Sequence, residues 1–194
     1  MIKESFIPLF FIFTGGPGSG KTTILEVLKK KYTISSESGR EIIREQQVLK
    51  GNATPWNDKK LFRDLMIERD IEKYLDAKNH NQIVLFDRGI LDSIGYSVLE
   101  NIPISKEILK KIEGYPYQKQ IFLFPPWEQI YLNDKERKQS FEEAMSTYNA
   151  IKKVYISRQY SIFEVPKTTI KQRCLLIEKE IRRLANLARK APLQ

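Results

Sequence analysis

The sequence has one cysteine, Cys174, and one histidine, His80, among 194 residues. Neither a disulfide framework nor a zinc site of Cys and His ligands can be assembled from such a set. Acid–base catalysis by histidine is nearly excluded as well. No apolar run reaches the roughly 18 residues that a membrane-spanning helix needs. Any chemistry must therefore rest mainly on carboxylates, hydroxyls, lysines and arginines.

The remaining composition is ordinary for a globular protein, with 41% hydrophobic and 29% charged residues. A chain of this length predicts a single domain over residues 1–194. The short apolar run Phe6 to Phe13 has the length of a signal-peptide core, but it contains Pro8 and ends in a glycine-rich loop instead of a cleavage site. We expect this run to be a strand and the protein to be cytoplasmic.

The formal net charge is +9, and much of it lies near the end of the chain. Apolar residues such as Cys174, Ile177 and Ile181 recur every three or four positions, which predicts an amphipathic helix at about 168–190 packed on the core. We expect its basic residues to form the solvated face, and a weak surface for nucleic acid or an anionic membrane is the alternative. These residues are Lys171, Arg173, Lys179, Arg182, Arg183, Arg189 and Lys190.

The most informative stretch is GGPGSGKTT, residues 15–23, which matches GxxxxGKT between the apolar run Leu9 to Phe13 and a helix-forming segment. Glycines let a loop wrap its N–H groups around phosphate oxygens, and the following helix directs its N-terminus at the same anion. A chance glycine-rich turn is the alternative, but the strand–loop–helix context is the one that phosphate binding requires. The predicted nucleotide-binding residues are Gly15, Gly16, Pro17, Gly18, Ser19, Gly20, Lys21, Thr22 and Thr23.

Five short apolar segments alternate with helical patterns along the chain. Continuous apolar strands separated by helices are typical of a parallel sheet that is covered on both faces. The sequence therefore predicts a doubly wound α/β fold with a five-stranded parallel sheet, in which ligands bind at the carboxyl ends of the strands. The expected strands are Leu9 to Phe13, a short one ending near Ser35–Ser36, Ile83 to Phe86, Gln120 to Phe124 and Ser161 to Val165.

Asp87 and Arg88 directly follow the third expected strand, at the same sheet edge as the phosphate loop. Magnesium prefers oxygen ligands and keeps several waters, so Thr22, Asp87 and the phosphates would suffice to hold it. The alternative for Asp87 is a turn or a helix cap. Arg88 is expected either to pair with Asp87 or to reach a substrate phosphate.

Glu37 follows the second strand and precedes a helix that carries Arg40. It is the best candidate for a base that accepts a proton from an attacking hydroxyl, and Arg40 would hold a charged substrate group. A carboxylate that only satisfies the helix dipole is the alternative. Asp92 is a candidate for binding substrate hydroxyls, or else an aspartate on a helix surface.

A segment dense in charge follows the fourth strand and predicts a lid at about 128–145. Enzymes that transfer phosphoryl groups exclude water and neutralise charge with cations from such lids, a task that suits Arg137 and Lys138. A solvated helix face with ion pairs is the alternative. Trp127, after Pro125 and Pro126, is expected to be a packing residue, and a platform for base stacking is the alternative.

Several blocks in this order resemble a known family. They are GGPGSGKTT, SESGREII at 36–43, TPW at 54–56, FDRGILDSIGY at 86–96, FPPWEQIY at 124–131 and ERKQSFEEA at 136–144. Together they look like the NadR/Ttd14-like AAA-type ATPase domain, and the resemblance spans nearly the whole chain. That family is similar to P-loop kinases, including nicotinamide riboside kinase and deoxynucleoside kinases. The resemblance implies a base after the second strand, an acid–arginine pair after the third and a basic lid, which Glu37, Asp87 with Arg88, and Arg137 match in turn.

Two functions from different classes follow from these residues. The first is a small-molecule kinase that moves the γ-phosphoryl group of ATP with Mg²⁺ to a hydroxyl or phosphate of a nucleoside-like acceptor. The second is a regulatory nucleotide switch or slow NTPase that acts on a macromolecular partner. A GTPase switch is disfavoured because no Asn-Lys-x-Asp motif follows the fourth strand, where Phe124 to Trp127 stand instead.

Overall fold

The computed structural model describes residues 9–80, 82–131 and 140–190. Its strands are β1 (Phe10–Gly15), β2 (Thr33–Ser35), β3 (Val84–Asp87), β4 (Gln120–Phe124) and β5 (Ser161–Glu164). Its helices are α1 (Lys21–Leu28), α2 (Ser38–Leu49), α3 (Lys59–Lys78), α4 (Ile90–Leu99), α5 (Lys106–Glu113), α6 (Phe141–Ser157) and α7 (Ile170–Lys190), with one 3-10 turn at Glu128–Ile130.

The strands form one parallel sheet in the order β2-β3-β1-β4-β5. This confirms the predicted α/β class with five parallel strands. β1 is central, with Phe13 opposite Asp87 of β3 and Gly15 opposite Phe124 of β4. The carboxyl ends of β1 and β3 therefore meet at one edge, and the loop after β1 lies beside Asp87.

Successive side chains of β1 point to opposite faces of the sheet, and every residue of the strand is buried. Phe10 and Ile12 join one core cluster with side chains of α3, α4 and α6. Phe11 and Phe13 join a second cluster with side chains of α1 and α7. Because both faces are covered, the strand has to be a continuous apolar run without the polar alternation of a half-exposed strand.

Capping contacts and turns set the ends of the helices. α3 begins after Asp58, whose carboxylate accepts the Leu61 N–H at 2.8 Å, and it ends at Lys78. α6 begins after Ser140, which forms a reciprocal capping box with Glu143. α1 ends at Leu28, where the chain leaves the helix through turns.

No helix in the described ranges is long and apolar enough to cross a membrane.

Cys174 lies buried on the sheet-facing side of α7, as its place in the apolar pattern predicts. Among the basic residues of α7 whose exposure the structure describes, Arg173 contradicts the expected solvated face, because it is only 3% exposed. The Arg173 guanidinium instead donates to the carbonyl of Ser19 in the loop after β1.

Candidate nucleotide and phosphoryl-transfer site

The loop between β1 and α1 has the backbone that its glycines predict. Gly15, Gly18 and Gly20 all have positive φ, at 146°, 71° and 72°. A Cβ on Gly18 would overlap the ring of Tyr131, so the residue is required for space as well as for conformation. Gly20 is the N-cap of α1, and the free N–H groups of that helix begin at the loop. This end of α1 is therefore built to receive an anion.

Lys21, the first residue of α1, is 6% exposed, and its ammonium pairs with the carboxylate of Asp87. Burial lowers the pKa of Lys21 to about 7, whereas the negative charges of Glu37 and Asp92 raise it. The adjoining Asp87 carboxylate also favours the charged ammonium. The loop lysine and the strand-ending aspartate that the sequence singled out thus form one buried ion pair.

The donor set at this edge fits Mg²⁺. Thr22 is exposed in the first turn of α1, next to Lys21 and its partner Asp87. One hydroxyl and one carboxylate are hard oxygen donors, and phosphates and waters complete the six positions that Mg²⁺ takes. No group of three or more acidic, His or Cys side chains that could hold a metal ion occurs in the ranges the structure describes. Thr22 and Asp87 fit a metal that is held jointly with a nucleotide.

Glu37 lies between β2 and α2 and is 19% exposed. Its Oε1 accepts a hydrogen bond from Arg88 Nε, and its Oε2 forms an ion pair with Arg40 Nε, each at 3.1 Å. Burial raises the pKa of Glu37, but the charges of Arg88, Lys21 and Arg40 outweigh it and hold the value at about 2. The carboxylate is therefore ionised throughout the physiological range.

Arg88 holds a left-handed backbone with φ at 73°, which is uncommon for a residue with a side chain. Its N–H donates to the Phe13 carbonyl at 2.9 Å, and its guanidinium bridges Glu37 to Asp92 Oδ1, the latter at 3.0 Å. Burial lowers the pKa of Arg88, and the charges of Glu37 and Asp92 raise it beyond its ordinary value. The sequence predicts that Arg88 either pairs with Asp87 or reaches a substrate phosphate. Among the described residues its ion-pair partners are Glu37 and Asp92, and it does not pair with Asp87.

Asp92 lies in the first turn of α4 and is 7% exposed. Its Oδ1 accepts from the Thr14 hydroxyl and from Arg88, and its Oδ2 accepts from the Gly89 N–H at 3.0 Å and the Tyr155 hydroxyl at 2.7 Å. The residue is thus part of a buried network between β1, α4 and α6. Its expected contact with substrate hydroxyls stays a prediction, and the exposed-surface alternative is wrong.

A cleft of about 570 Å³ joins the phosphate loop to the other predicted residues. Glu37, Arg40 and Arg88 line it together with every loop residue from Gly16 to Thr23. Asp87 and Asp92 do not line the cleft themselves, but they pair with Lys21 and Arg88, which do. Arg137 and Lys138 lie outside the described residues, so their role as lid cations stays a prediction. Most of the residues chosen from the sequence therefore face one cavity.

One wall of the cleft, formed by the start of α7 with the two residues before it and by the segment after β4, is not predicted by the sequence patterns. Thr168, Thr169, Ile170 and Arg173 line this wall with Trp127 and Ile130. Trp127 is half-buried, and its backbone N–H donates to the Gly18 carbonyl at 3.4 Å. Trp127 therefore packs against the phosphate loop while one side of the residue borders the cavity.

This fold and loop define a P-loop nucleotide-binding domain. A family model described as an AAA domain matches residues 10–173. The chain belongs to that AAA-domain family, a P-loop family that is kinase-like in structure. A search of curated proteins found no match.

Solved structures support the same fold. Deoxyadenosine kinase from M. mycoides with bound dATP is 21% identical, with a TM-score of 0.52 over 89% of this chain and 98% of that chain. Thymidylate kinase from Ehrlichia chaffeensis is 16% identical, with a TM-score of 0.58 over 90% of this chain and 98% of that chain. At these identities the likeness establishes the fold, and the reaction has to be argued from the site.

Proposed function

We propose that the protein is a small-molecule kinase that transfers the γ-phosphoryl group of ATP to a hydroxyl or phosphate of a nucleoside-like acceptor. The observation that carries the proposal is the place of Glu37. Its carboxylate lines the same cleft as the phosphate loop, between Arg88 and Arg40. A nucleotide-binding loop alone serves many reactions, whereas an ionised acid across the cleft is what an acceptor hydroxyl needs. The fold that the two solved kinases share agrees with this assignment.

The phosphate side of the reaction falls to the loop and the residues around it. The N–H groups of the loop and of α1 bind the phosphates, and Lys21 neutralises charge that develops on the transferred group. Thr22 and Asp87 would hold Mg²⁺, which supplies further charge stabilisation at the phosphate oxygens when bound. Lys21 must exchange its contact with Asp87 for one with phosphate when the nucleotide binds.

The acceptor side falls to Glu37 and its two arginines. Both carboxylate oxygens are occupied, so an acceptor hydroxyl has to displace one guanidinium. Arg40 is 54% exposed and Arg88 is 23% exposed, which makes Arg40 the easier one to displace. Once released, Arg40 is free to bind a charged group of the acceptor. A carboxylate with so low a pKa orients the hydroxyl first and takes its proton late, which suits a loose transition state in which positioning dominates.

A lid completes the proposal. Water has to be excluded so that phosphate passes to the acceptor and is not lost by hydrolysis. We assign this task to the segment at about 128–145, with Arg137 contacting the transferred phosphoryl group only when the segment closes. A change of Arg137 to alanine should therefore lower turnover more than nucleotide affinity.

The test is a product analysis with ATP, Mg²⁺ and a library of nucleosides, nucleotides and related hydroxyl compounds. The proposal expects slow hydrolysis with ATP alone, and one acceptor that accelerates ADP formation and gains a phosphate. Glu37→Gln should remove that acceleration and leave ATP binding near wild type, because the amide keeps the shape and loses the charge. Glu45→Gln is the matched control, since Glu45 lies on the same helix, pairs with Arg69 and is 47% exposed.

The regulatory alternative makes a different prediction in the same assay. A slow NTPase would release inorganic phosphate with every acceptor, and a macromolecular partner would change its rate. Stoichiometric phosphate release throughout, with Glu37→Gln equal to wild type, would overturn the kinase proposal. Nucleotide binding by the loop would survive that result.

A further inference from the structure

Arg173 is a buried arginine against the back of the phosphate loop. It lies in the first turn of α7 and is 3% exposed. Its Nη2 donates to the Ser19 carbonyl at 2.8 Å, and its Nη1 lies 2.8 Å from where a Cβ on Gly20 would stand. The guanidinium also stacks over the rings of Phe124 and Trp127, at 5.1 Å and 5.9 Å from their centroids. These contacts fix the guanidinium plane at the wall of the cleft.

The charge of this guanidinium has no counterion in the part of the chain that the structure describes. No carboxylate there forms an ion pair with Arg173, and its Nε, although buried, makes no hydrogen bond. Burial lowers the pKa of Arg173, which reflects the cost of that uncompensated charge. Buried charges in proteins are normally paired, so a guanidinium kept in this state points to an anion that arrives from outside.

We infer that Arg173 binds the polyphosphate of the nucleotide and supplies its counter-charge from α7. This inference rests on the proposed binding of a nucleoside triphosphate and adds to it a residue outside the phosphate loop. Arg173 lines the same cleft as the loop, so it reaches the anion without crossing the sheet. Because α7 packs on α1 in one core cluster, the contact also ties the last helix to the occupied loop.

The position favours phosphate over the base as the partner. Both terminal nitrogens lie by Ser19 and Gly20, directly before the helix N-terminus that receives the phosphates. A guanidinium presents several donors in a plane that matches phosphate oxygens. Its face is already covered by Phe124, which leaves the edge of the guanidinium for a ligand.

The test compares wild type, Arg173→Gln and Arg173→Lys by calorimetric titration with ATP–Mg²⁺ and with inorganic tripolyphosphate. Arg173→Gln retains an N–H donor for the Ser19 carbonyl and loses the charge, so it separates phosphate binding from loop support. We expect it to weaken both ligands by about tenfold to a hundredfold. Arg173→Lys should retain part of the affinity. Lys179→Gln, an equal charge loss on the exposed side of α7, should bind as wild type does.

Three outcomes would overturn the inference. They are unchanged affinity in Arg173→Gln, a loss for ATP without a loss for tripolyphosphate, and a loss of the same size in Lys179→Gln. If Arg173→Gln does not fold, NMR of the wild type tests the contact instead. The side-chain Nε–H resonance of Arg173 is assigned by its absence from the spectrum of Arg173→Lys. It should shift when tripolyphosphate is added, and no shift would refute the contact. Failure of wild type to bind either ligand would instead refute the proposed nucleotide function.

Discussion

Replacing Asp70 with asparagine should stabilise the protein, and increasingly so as the pH rises. Asp70 lies on α3, is 8% exposed and accepts from the Ser38 hydroxyl. Burial raises its pKa to about 7 from the ordinary 3.8, and the charges of Asp92 and Glu37 add to that effect. The folded protein therefore holds this proton more tightly than the unfolded chain does. The resulting stability is fully present below the ordinary pKa and is lost as the pH rises through about 7.

The magnitude follows from the same values. A rise in pKa of this size corresponds to about 4 kcal/mol in the free energy of unfolding once the group is ionised. Asparagine keeps the oxygen that accepts from Ser38 and carries no charge. Its new N–H₂ group has to find acceptors, so about 4 kcal/mol is the upper limit of the gain.

Urea unfolding over a pH series measures the effect. The difference between Asp70→Asn and wild type should be small near pH 4 and should grow steadily to about pH 8. Asp76→Asn is the matched control, because it removes an exposed carboxylate from the same helix and should show no such trend. A difference between Asp70→Asn and wild type that stays constant with pH would refute the reasoning, since it would mean that Asp70 titrates alike in both states.

Three further predictions concern the cleft. Lys21→Ala should remove most of the thermal stabilisation that ATP–Mg²⁺ gives, about 2.7 kcal/mol at a hundredfold excess over Kd, and equal stabilisation of both proteins would contradict the assignment. Asp87→Asn should keep some ATP binding and lose its dependence on Mg²⁺, because an amide is a poor ligand for a hard cation; an unchanged Mg²⁺ titration would make Asp87 purely structural. In a pH profile of kcat/KM, Glu37 of the wild type should cause no loss of activity on the acid side above about pH 4. Arg88→Met should produce such a loss, because burial raises the pKa of Glu37 and the charge of Arg88 no longer lowers it. An acid limb of wild type near pH 6 that Glu37→Gln abolishes would argue against the paired state of Glu37.

The parts of the site that the sequence predicts are those that local chemistry dictates. The glycines at 15, 18 and 20 are required by backbone conformation within one loop, so their spacing identifies the loop without knowledge of the fold. Asp87 and Glu37 follow strands, and parallel strands bring their carboxyl ends to one edge. Their approach to the loop is therefore predictable once the segments are recognised as neighbouring strands.

The burial of Arg173 depends on its phase along α7, which its charge alone does not reveal. It precedes Ile177 by four residues, and Ile177 precedes Ile181 by four, so the three share one face of α7. Both isoleucines are fully buried. A charged residue within the apolar face, next to the start of the helix, was the available signal, and it predicts a buried arginine that requires a partner.

The roles of Asp87, Glu37 and Asp92 cannot be predicted from the neighbouring sequence, because each depends on a partner that lies far along the chain. Asp87 contacts Lys21, Glu37 contacts Arg88, and Asp92 accepts from Thr14 and Tyr155. The first two are ion pairs that a ligand can exchange, whereas four donors hold Asp92 in the interior. Asp92 therefore acts on the cleft through Arg88, the guanidinium that also binds Glu37.

The charges of the cleft explain why a polyphosphate is the ligand that fits. Among the described residues that line it, the cations are Lys21, Arg40, Arg88 and Arg173, and the only carboxylate is Glu37. Asp87 and Asp92 do not line the cleft, and they balance Lys21 and Arg88. Within the part of the chain that the structure describes, Arg173 has no counterion, and under the proposed reaction an acceptor that takes the Glu37 oxygen would also release Arg40. An anion with several charges would neutralise more of these cations than an anion with a single charge.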